Sequence, residues 1–565
     1  MAAQVRSREP SLSPSTPESP SSPKRRRLHS SSHSPTPTMS TPSISLSSRE
    51  SALCQLLVDV GAEIDTAAPP DTEPIVLRFT GGWVRDKLLG IPSNDIDVGI
   101  NRMTGFDFGN CLASFLDRHK ESYDILPGTL HKIESNPEKS KHLETATTKL
   151  MGLDIDLVNL RSETYGTGSR IPEMKFGTPV QDALRRDCTV NALFYNLHSQ
   201  QVEDFTGRGL EDMKNKLIRT PLSPFETFDD DPLRVLRLIR FSSRLGFEIV
   251  PEAKEAMKNP DIQSALRLKI SRERVGIETE KMLKGNNPSA ALRQIHTLSL
   301  YDSIFAPPTK TLPPLQTQHI PRAVSALTYI LSPSTHSRFP HVSSLFFNDY
   351  NMYLAWLFAA LTPWELHMFP GVGARKPIPG AAVAAREGIK APNKVFDTLV
   401  RSYNNLVTIR TVMQTVGGGQ MWARNTAGMF VRGLGPDWRN QVQCCVLLDL
   451  AKTWKDNETE PSPECEVLLN ACNTLVCKIK ELGVTNAYDV HPILDGNELT
   501  SILGFRPGPW VSGMLERVVD WQWQNEGVDK EAAAAWVLGE KEALVLAGAV
   551  AMGEGKRGRE KKAKV

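Results

Sequence analysis

From residue 51 to about 205, short apolar runs alternate with turns, a rhythm that predicts an α/β domain. Ile75-Val76-Leu77-Arg78-Phe79 reads as a strand leading into Thr80-Gly81-Gly82-Trp83-Val84-Arg85-Asp86-Lys87-Leu88-Leu89-Gly90, a glycine turn that opens a short helix. Asp95-Ile96-Asp97-Val98 and Leu153-Asp154-Ile155-Asp156-Leu157-Val158-Asn159-Leu160 alternate with period two, so each is expected as a strand with one polar face. Ser135 to Thr148 is polar and reads as a turn or loop, and Tyr165 to Lys175 as a mobile, glycine-bearing loop. From about 206 the apolar spacing becomes helical. Residues 306–345, rich in proline and serine, read as an inserted surface loop. Helical periodicity fills the last two hundred residues, punctuated by Gly417-Gly418-Gly419 and Gly504-Phe505-Arg506-Pro507-Gly508-Pro509-Trp510.

The length of 565 residues implies more than one domain, and 40% apolar with 23% charged residues is ordinary for a soluble protein. No run of about 18 apolar residues occurs, so no membrane partner is expected. The cysteines are scattered without zinc-ligand spacing, which suits reduced thiols. Neither a His-Glu-x-x-His helix nor a Walker lysine loop is present, which removes those two chemistries. With a net charge of +2, any nucleic-acid partner must be met by local basic surfaces. Residues 1–50, rich in Ser, Pro and Thr, are expected to be disordered. Within them Pro23-Lys24-Arg25-Arg26-Arg27 suits nuclear import or a solvated charge run equally well. A second basic stretch closes the chain at Lys556 to Lys564, and the N-terminus lacks the arginine helix of a mitochondrial presequence.

The chemistry concentrates in three motifs. In the first, Gly81 and Gly82 let the backbone approach a phosphate, and the helix N-terminus behind them favours one. Asp95 and Asp97, two apart on a strand, share a face, and paired carboxylates beside a phosphate cradle suit Mg²⁺-dependent phosphoryl chemistry. A glycine turn or an Asp-x-Asp alone is usually only structural; the ordered combination is what carries the signal. The second motif is Asp182-Ala183-Leu184-Arg185-Arg186-Asp187-Cys188-Thr189-Val190-Asn191. Its arginines suit phosphate oxygens, and Asp187 or Asn191 suits a ribose hydroxyl, against the simpler reading of a charged helical turn. The third is Asp229-Asp230-Asp231-Pro232-Leu233-Arg234, continuing through Arg237, Arg240-Phe241 and Arg244. Asp231 fits an N-cap and Pro232 the first helical position. At about 100° per residue Arg234, Arg237, Arg240 and Arg244 fall in one sector roughly 120° wide. No acid interleaves them on that helix, so an anionic partner is expected.

Asp231 and Arg234 can choose a base without a template strand. A carboxylate accepts from an exocyclic amine, and an arginine donates to the adjacent ring nitrogen. Cytosine and adenine offer that edge; uracil and guanine offer the reverse and leave both protein groups unpaired. The competing role for Asp231 is simply to cap the helix.

Taken in order, Gly81-Gly82-x-x-Arg85-Asp86, Asp95-x-Asp97, Arg185-Arg186-Asp187-x-x-x-Asn191 and Asp230-Asp231-x-x-Arg234-x-x-Arg237-x-x-Arg240-Phe241 resemble the class II CCA-adding tRNA nucleotidyltransferases, of fungal type, within the polymerase-β-like superfamily. Asp204-Phe205-Thr206-Gly207 with Asp212 resembles the family's head-to-neck hinge. Ile270-Ser271-Arg272-Glu273-Arg274 with Glu278 and Lys281 resembles its neck motif, and Leu494-Asp495-Gly496 and Pro507-Gly508-Pro509-Trp510 with Trp521-Gln522 its tail. One departure is Asp230-Asp231 where the family often has Glu-Asp.

The resemblance implies an α+β, seahorse-shaped protein. A polymerase-β-like head would span 51–205, a helical neck 206–300, and a helical body and tail 301–565. It implies stepwise addition of C, C and A to the tRNA 3′ end from CTP and ATP, by a monomer in nucleus and cytoplasm, with a mitochondrial pool also open. By position, Asp95 and Asp97 would bind Mg²⁺, and Gly82 and Arg85 the triphosphate. Arg186, Asp187 and Asn191 would meet triphosphate and ribose. Asp231 and Arg234 would read the base, with Arg237 and Arg240 placing base and phosphates, and 164–175 would help switch from C to A. Asp156 stands open as a third metal carboxylate or a structural polar residue. The alternatives are a poly(A) polymerase or a partial CC- or A-adding relative, a non-catalytic RNA-binding protein, and a two-carboxylate nuclease or phosphatase.

Overall fold

Helix α1 (Ser48–Ala67) starts at a capping box in which Ser47 and Glu50 bond each other's backbone N–H groups. Ordered structure thus begins inside the segment expected to be disordered. The computed structural model describes residues 42–119, 123, 131–133, 145–164, 173–307, 315–346, 348–371, 376–525 and 527–542. Both basic stretches, 23–27 and 556–564, lie outside the described residues, as does most of the 164–175 loop.

Leu53, Leu56, Leu57 and Val60 of α1 recur at helical spacing and are buried against a seven-stranded sheet. Its strands are β1 (Leu77–Thr80), β2 (Asp95–Ile100), β3 (His131–Ile133), β4 (Thr145–Leu150), β5 (Leu153–Asn159), a separate hairpin of β6 (Arg161–Thr164) with β7 (Glu173–Phe176), then β8 (Leu193–Asn196) and β9 (Gln201–Asp204). The sheet order is β3-β4-β5-β2-β1-β8-β9, with only the β2/β5 pair parallel. β4 claims Thr145 to Thr148 from the expected 135–148 loop. Ile96, Val98, Ile155 and Leu157 are buried in the head core with Phe108, Leu112 and Leu116 of helix α3 (Gly105–Arg118). The alternate positions of β2 and β5 turn the aspartates to the opposite face. Helix α2 (Gly82–Leu88) joins β1 to β2. The Glu50 carboxylate of α1 fixes it by accepting from Trp83 Nε1 at 3.3 Å and Lys87 Nζ at 2.6 Å.

Helix α4 (Pro179–Leu184) follows the β6–β7 hairpin, started by a Thr178/Gln181 capping box. The segment after it passes from one core to another: Cys188 and Val190 belong to the large helical core, while Ala192 and Phe194 pack on the polar side of the sheet with Leu160 and Ala183. Beyond the sheet come α5 (Gly209–Lys214), α6 (Pro224–Asp230), α7 (Arg234–Leu245), α8 (Pro251–Lys258), α9 (Pro260–Leu268) and α10 (Arg272–Leu283). α7 is the arginine-bearing helix, and its Val235, Leu236, Leu238 and Ile239 are fully buried.

Two expectations are corrected here. The 306–345 segment is not a surface loop: among its described residues are helices His319–Ile330, Pro333–Arg338 and Pro340–Ser343, and Ile320, Ala323, Val324, Leu327 and Ile330 lie in the helical core. Pro321, Pro333 and Pro340 occupy first-turn positions, where a missing N–H costs nothing, so they start helices rather than break them. α7 begins at Arg234, not Pro232. Asp231 is extended (φ −139°, ψ 97°), and the first bonds span three residues, Arg234 N–H to Asp231 O at 2.9 Å and Val235 N–H to Pro232 O at 3.2 Å. Residues 494–537 at the tail enclose a small core of their own around Leu499, Phe505, Met514 and Val518.

Candidate active site

The site is built on the polar face of β2 and β5. Their parallel register sets Asp95 opposite Asp154 and Asp97 opposite Asp156, so carboxylates neighbour one another across the strands as well as along them. Lys149 pairs with Asp154 at 3.3 Å. Beyond the backbone ladder, no hydrogen bond or ion pair among the described residues reaches the carboxylates of Asp95, Asp97 or Asp156. Burial, then repulsion from Asp156 and Asp95, pushes the Asp97 carboxyl up to about 6, although the Arg186 guanidinium opposes this. Asp95 is raised too, by burial and by Asp156 and Asp154.

Arg186 offsets only part of this clustered negative charge. All-oxygen donors fit a hard divalent ion. Among the described residues no three carboxylates or imidazoles close around one point. The donor set therefore suits an ion that takes one or two carboxylates and fills its shell with phosphate and water, as small divalent cations do.

Beside the aspartates, Gly81 caps α2 in a left-handed conformation (φ +71°). A Cβ there would lie 2.8 Å from Arg186 Nη1 and 3.7 Å from Asp97 Oδ2. Glycine is thus required both by the turn and by the close approach of Arg186 and Asp97. Arg186 donates through Nη1 to Asn191 O at 3.0 Å and lies over the Phe194 ring.

The other expected site residues form a network directed largely into the protein. Arg85, expected at the triphosphate, is 2% exposed; it bonds Asp86 Oδ1 through Nε at 2.8 Å and donates to the Asn191 side chain. Asp187 and Asn191, expected at the ribose, are also buried. Asp187 Oδ1 accepts from Cys188 N–H and Asn191 Nδ2, each at 2.9 Å, and Oδ2 from Arg237 Nε at 2.7 Å. Burial alone would raise the Asp187 carboxyl, but Arg237 and Asn191 hold it far below the usual carboxylate range. Arg240 pairs with Glu278 of α10 at 2.6 Å and Arg244 with Asp86 of α2 at 3.2 Å. The guanidiniums of Arg85, Arg237 and Arg240 surround the Phe241 ring at 4.3–5.5 Å. Arg237, Arg240 and Arg244 are therefore each paired with an acid from another part of the chain, and the repulsion within the row does not by itself demand an anionic ligand. Spacing along one helix could not reveal those acids.

Asp231 and Arg234 stand at the junction of α6 and α7, facing different partners. Asp231 divides its two oxygens: Oδ1 accepts Leu233 N–H at 3.1 Å, and Oδ2 accepts from Arg274 of α10 at 2.8 Å. Capping therefore uses one oxygen and leaves the other to a surface ion pair. Arg234 is 7% exposed and donates to Thr227 O at 3.1 Å and Arg185 O at 2.7 Å. Glu278 and Arg274 sit in the neck motif, Asp86 in the glycine motif and Asp182 in the second motif quoted above, but none of these motifs tells which arginine each acid meets.

Residues 77–219 match the poly A polymerase head domain, and 246–311 match a family model described as the probable RNA and SrmB-binding site of polymerase A. The chain is 38% identical to the tRNA nucleotidyltransferase cca1 of Schizosaccharomyces pombe, over 88% of this chain and 97% of that protein. It is 36% identical to the mitochondrial CCA tRNA nucleotidyltransferase of Saccharomyces cerevisiae, over 87% and 93%. A nucleotidyltransferase of Purpureocillium lilacinum, lcsQ, is 40% identical over 88% and 92%. In fold the chain is similar to a solved CCA-adding enzyme in its apo form (TM-score 0.58, 20% identity, covering 88% of this chain and 96% of the other). The polymerase-type α/β head followed by helices is the architecture those structures share. Identity of this depth along nearly the whole chain places it: the protein belongs to the tRNA nucleotidyltransferase family.

Proposed function

We propose that this chain is the nucleotidyltransferase that adds C, C and A to the tRNA 3′ end from CTP and ATP, releasing pyrophosphate, without a template strand. The carrying observation is the set of carboxylates Asp95, Asp97 and Asp156, without an ion-pair partner among the described residues, beside Gly81 and Arg186 in a chain 36–38% identical to tRNA nucleotidyltransferases over 87–88% of its length. The partners in this reading are tRNA, CTP and ATP.

Asp95 and Asp97 would hold the divalent ion, Mg²⁺ in this reading, with Asp156 behind Asp97 strengthening the local field. Held there, the ion would supply Lewis acidity, lowering the pKa of the terminal tRNA hydroxyl and offsetting charge on the α-phosphate. Gly81 and Gly82 admit the triphosphate at the start of α2, and Arg186 meets its oxygens. Arg85, Asp187, Asn191, Arg237 and Arg240 hold that cradle against α7, with the part-exposed Arg237 able to turn toward a phosphate. Asp231 Oδ2 and the Arg234 fork read the amine-and-acceptor edge of cytosine or adenine. For Asp231 this requires exchange of the exposed Arg274 contact for the base. The helical surface grips tRNA by shape and phosphates.

Incubating the purified protein with tRNA lacking its 3′ end, Mg²⁺ and each labelled triphosphate separately tests this. C and A should be incorporated and U and G refused. Long A tails would instead identify a poly(A) polymerase, and no incorporation a non-catalytic RNA-binding protein. Two yeast relatives are named as mitochondrial. A mitochondrial pool beside nuclear and cytoplasmic ones belongs to this reading, and fractionation of cells expressing a tagged chain checks it.

A further inference from the structure

Asp182, on the last turn of α4, has no role in the assignments above, yet it touches most of them. It is 1% exposed. Its Oδ1 accepts the Arg161 backbone N–H at 3.3 Å and the Arg185 Nε–H at 2.9 Å, and Arg185 Nη2 also donates to it. Its Oδ2 accepts from Arg186 Nε at 3.1 Å and Nη2 at 2.8 Å. Each contact leads to a different part of the site. Arg161 opens β6, the first strand of the hairpin whose connecting segment includes the 165–172 stretch. Arg186 stands against Gly81 beside Asp97. The Arg185 carbonyl accepts the Arg234 guanidinium at 2.7 Å.

Two adjacent guanidiniums repel each other unless an anion lies between them. A carboxylate that gives one oxygen to each fork also fixes their planes, because such pairs are directional. We propose that Asp182 is a specificity-setting positioning residue: it fixes the triphosphate arm, Arg186, relative to the base-reading arm, Arg234, and references both to the base of the β6–β7 hairpin. This rests on the reading of Arg186 and Arg234 given above. In such a site the distance between the two arms sets which nucleotide lies in line with the tRNA hydroxyl, and a displacement of about 1 Å costs about a hundredfold in rate.

The test is steady-state kinetics of the full chain with CTP, ATP and UTP on tRNA ending before each addition. Asp182→Asn retains the shape but brings an amide donor toward a guanidinium. It should lower kcat/KM for CTP and ATP about a hundredfold and raise UTP use relative to CTP about tenfold. Asp182→Glu should recover part of both. Arg185→Gln keeps the carbonyl but frees its anchor, so it should relax the choice of base while leaving KM for the correct nucleotides near wild type. If Asp182→Asn only lowers the melting temperature, with kcat/KM and base choice intact, the residue is merely structural and the inference is overturned. If Asp182→Asn fails to fold, an unchanged CTP-over-UTP preference in Arg185→Gln overturns it instead. Arg186→Ala and Arg234→Ala run alongside. If they leave triphosphate affinity and base choice untouched, the underlying reading fails; if they alter both while Asp182→Asn alters neither, only this inference fails.

Discussion

The aspartates of β2 and β5 and the arginines of α7 are both rows of like charge, held in opposite ways. Asp95, Asp97 and Asp156 meet no cation within hydrogen-bond reach among the described residues, and the Asp97 carboxyl rises to about 6. On α7, Arg237, Arg240 and Arg244 each meet an acid from another element, and Arg234 meets two carbonyls. Unbalanced charge awaits a ligand, whereas balanced charge is framework. In the reading proposed above, the contrast separates the carboxylates that would hold the metal from the charges that frame the site.

Replacing one aspartate of the first row and one counter-charge of the second gives the largest difference. Asp97→Ala should reduce nucleotide incorporation by about a thousandfold or more, because it removes a metal ligand. Undiminished incorporation in a primer-extension assay would remove Asp97 from the metal site. Asp187→Ala should instead cost stability, about 3 kcal/mol in urea unfolding, since it strands Arg237 and Asn191. A wild-type unfolding midpoint would mean that the pair does not join head to neck.

Acid sharpens the comparison, because the two kinds of carboxylate titrate in opposite senses. At Asp182 burial works to raise the carboxyl, but Arg186 and Arg185 outweigh it and bring it down to about 2. Its folded pKa lies below the unfolded one, near 3.8. Its contribution, about 2 kcal/mol, is therefore present above pH 4 and lost as pH falls toward 2. Asp97 is the reverse case: its raised pKa makes ionisation a cost that appears as pH rises from about 4 through 6. Without divalent cation at pH 7, Asp97→Asn should melt higher than wild type, and the gain should vanish below pH 4 or when wild type is saturated with Mg²⁺. Equal melting temperatures at pH 7 would show that Asp97 is already compensated. The smallest effect belongs to Arg274→Ala. The pair it makes with Asp231 is 45% exposed on the arginine side, so stability should change by no more than about 0.5 kcal/mol. Discrimination against UTP should nevertheless shift, and an unchanged ratio would disconnect Asp231 from the base.

The glycine turn and the Asp-x-Asp strand are legible in the sequence because period-two alternation and a left-handed glycine are local properties. The strand carrying Asp154 and Asp156 is legible for the same reason, but its register beside β2 is not, since pairing joins residues about sixty apart. The helical content of 306–345 is hidden by prolines that look like breakers until their first-turn positions are known. The α7 arginines mislead for a related reason: their counter-charges, Asp86, Asp187 and Glu278, come from distant parts of the chain. Asp182 is visible only as one letter of a motif, because its importance lies in what it accepts from three directions.

The passage from Cys188 to Tyr195, a 3₁₀ turn (Thr189–Asn191) running into β8, ends this chain of dependence. Within eight residues it anchors in the helical core at Cys188 and Val190, and in the head at Leu193 and Tyr195. So short a tether leaves no slack. A change of side-chain volume at Cys188, whose Sγ lies 3.5 Å from Asp187 Oδ1, should therefore be felt in both cores at once.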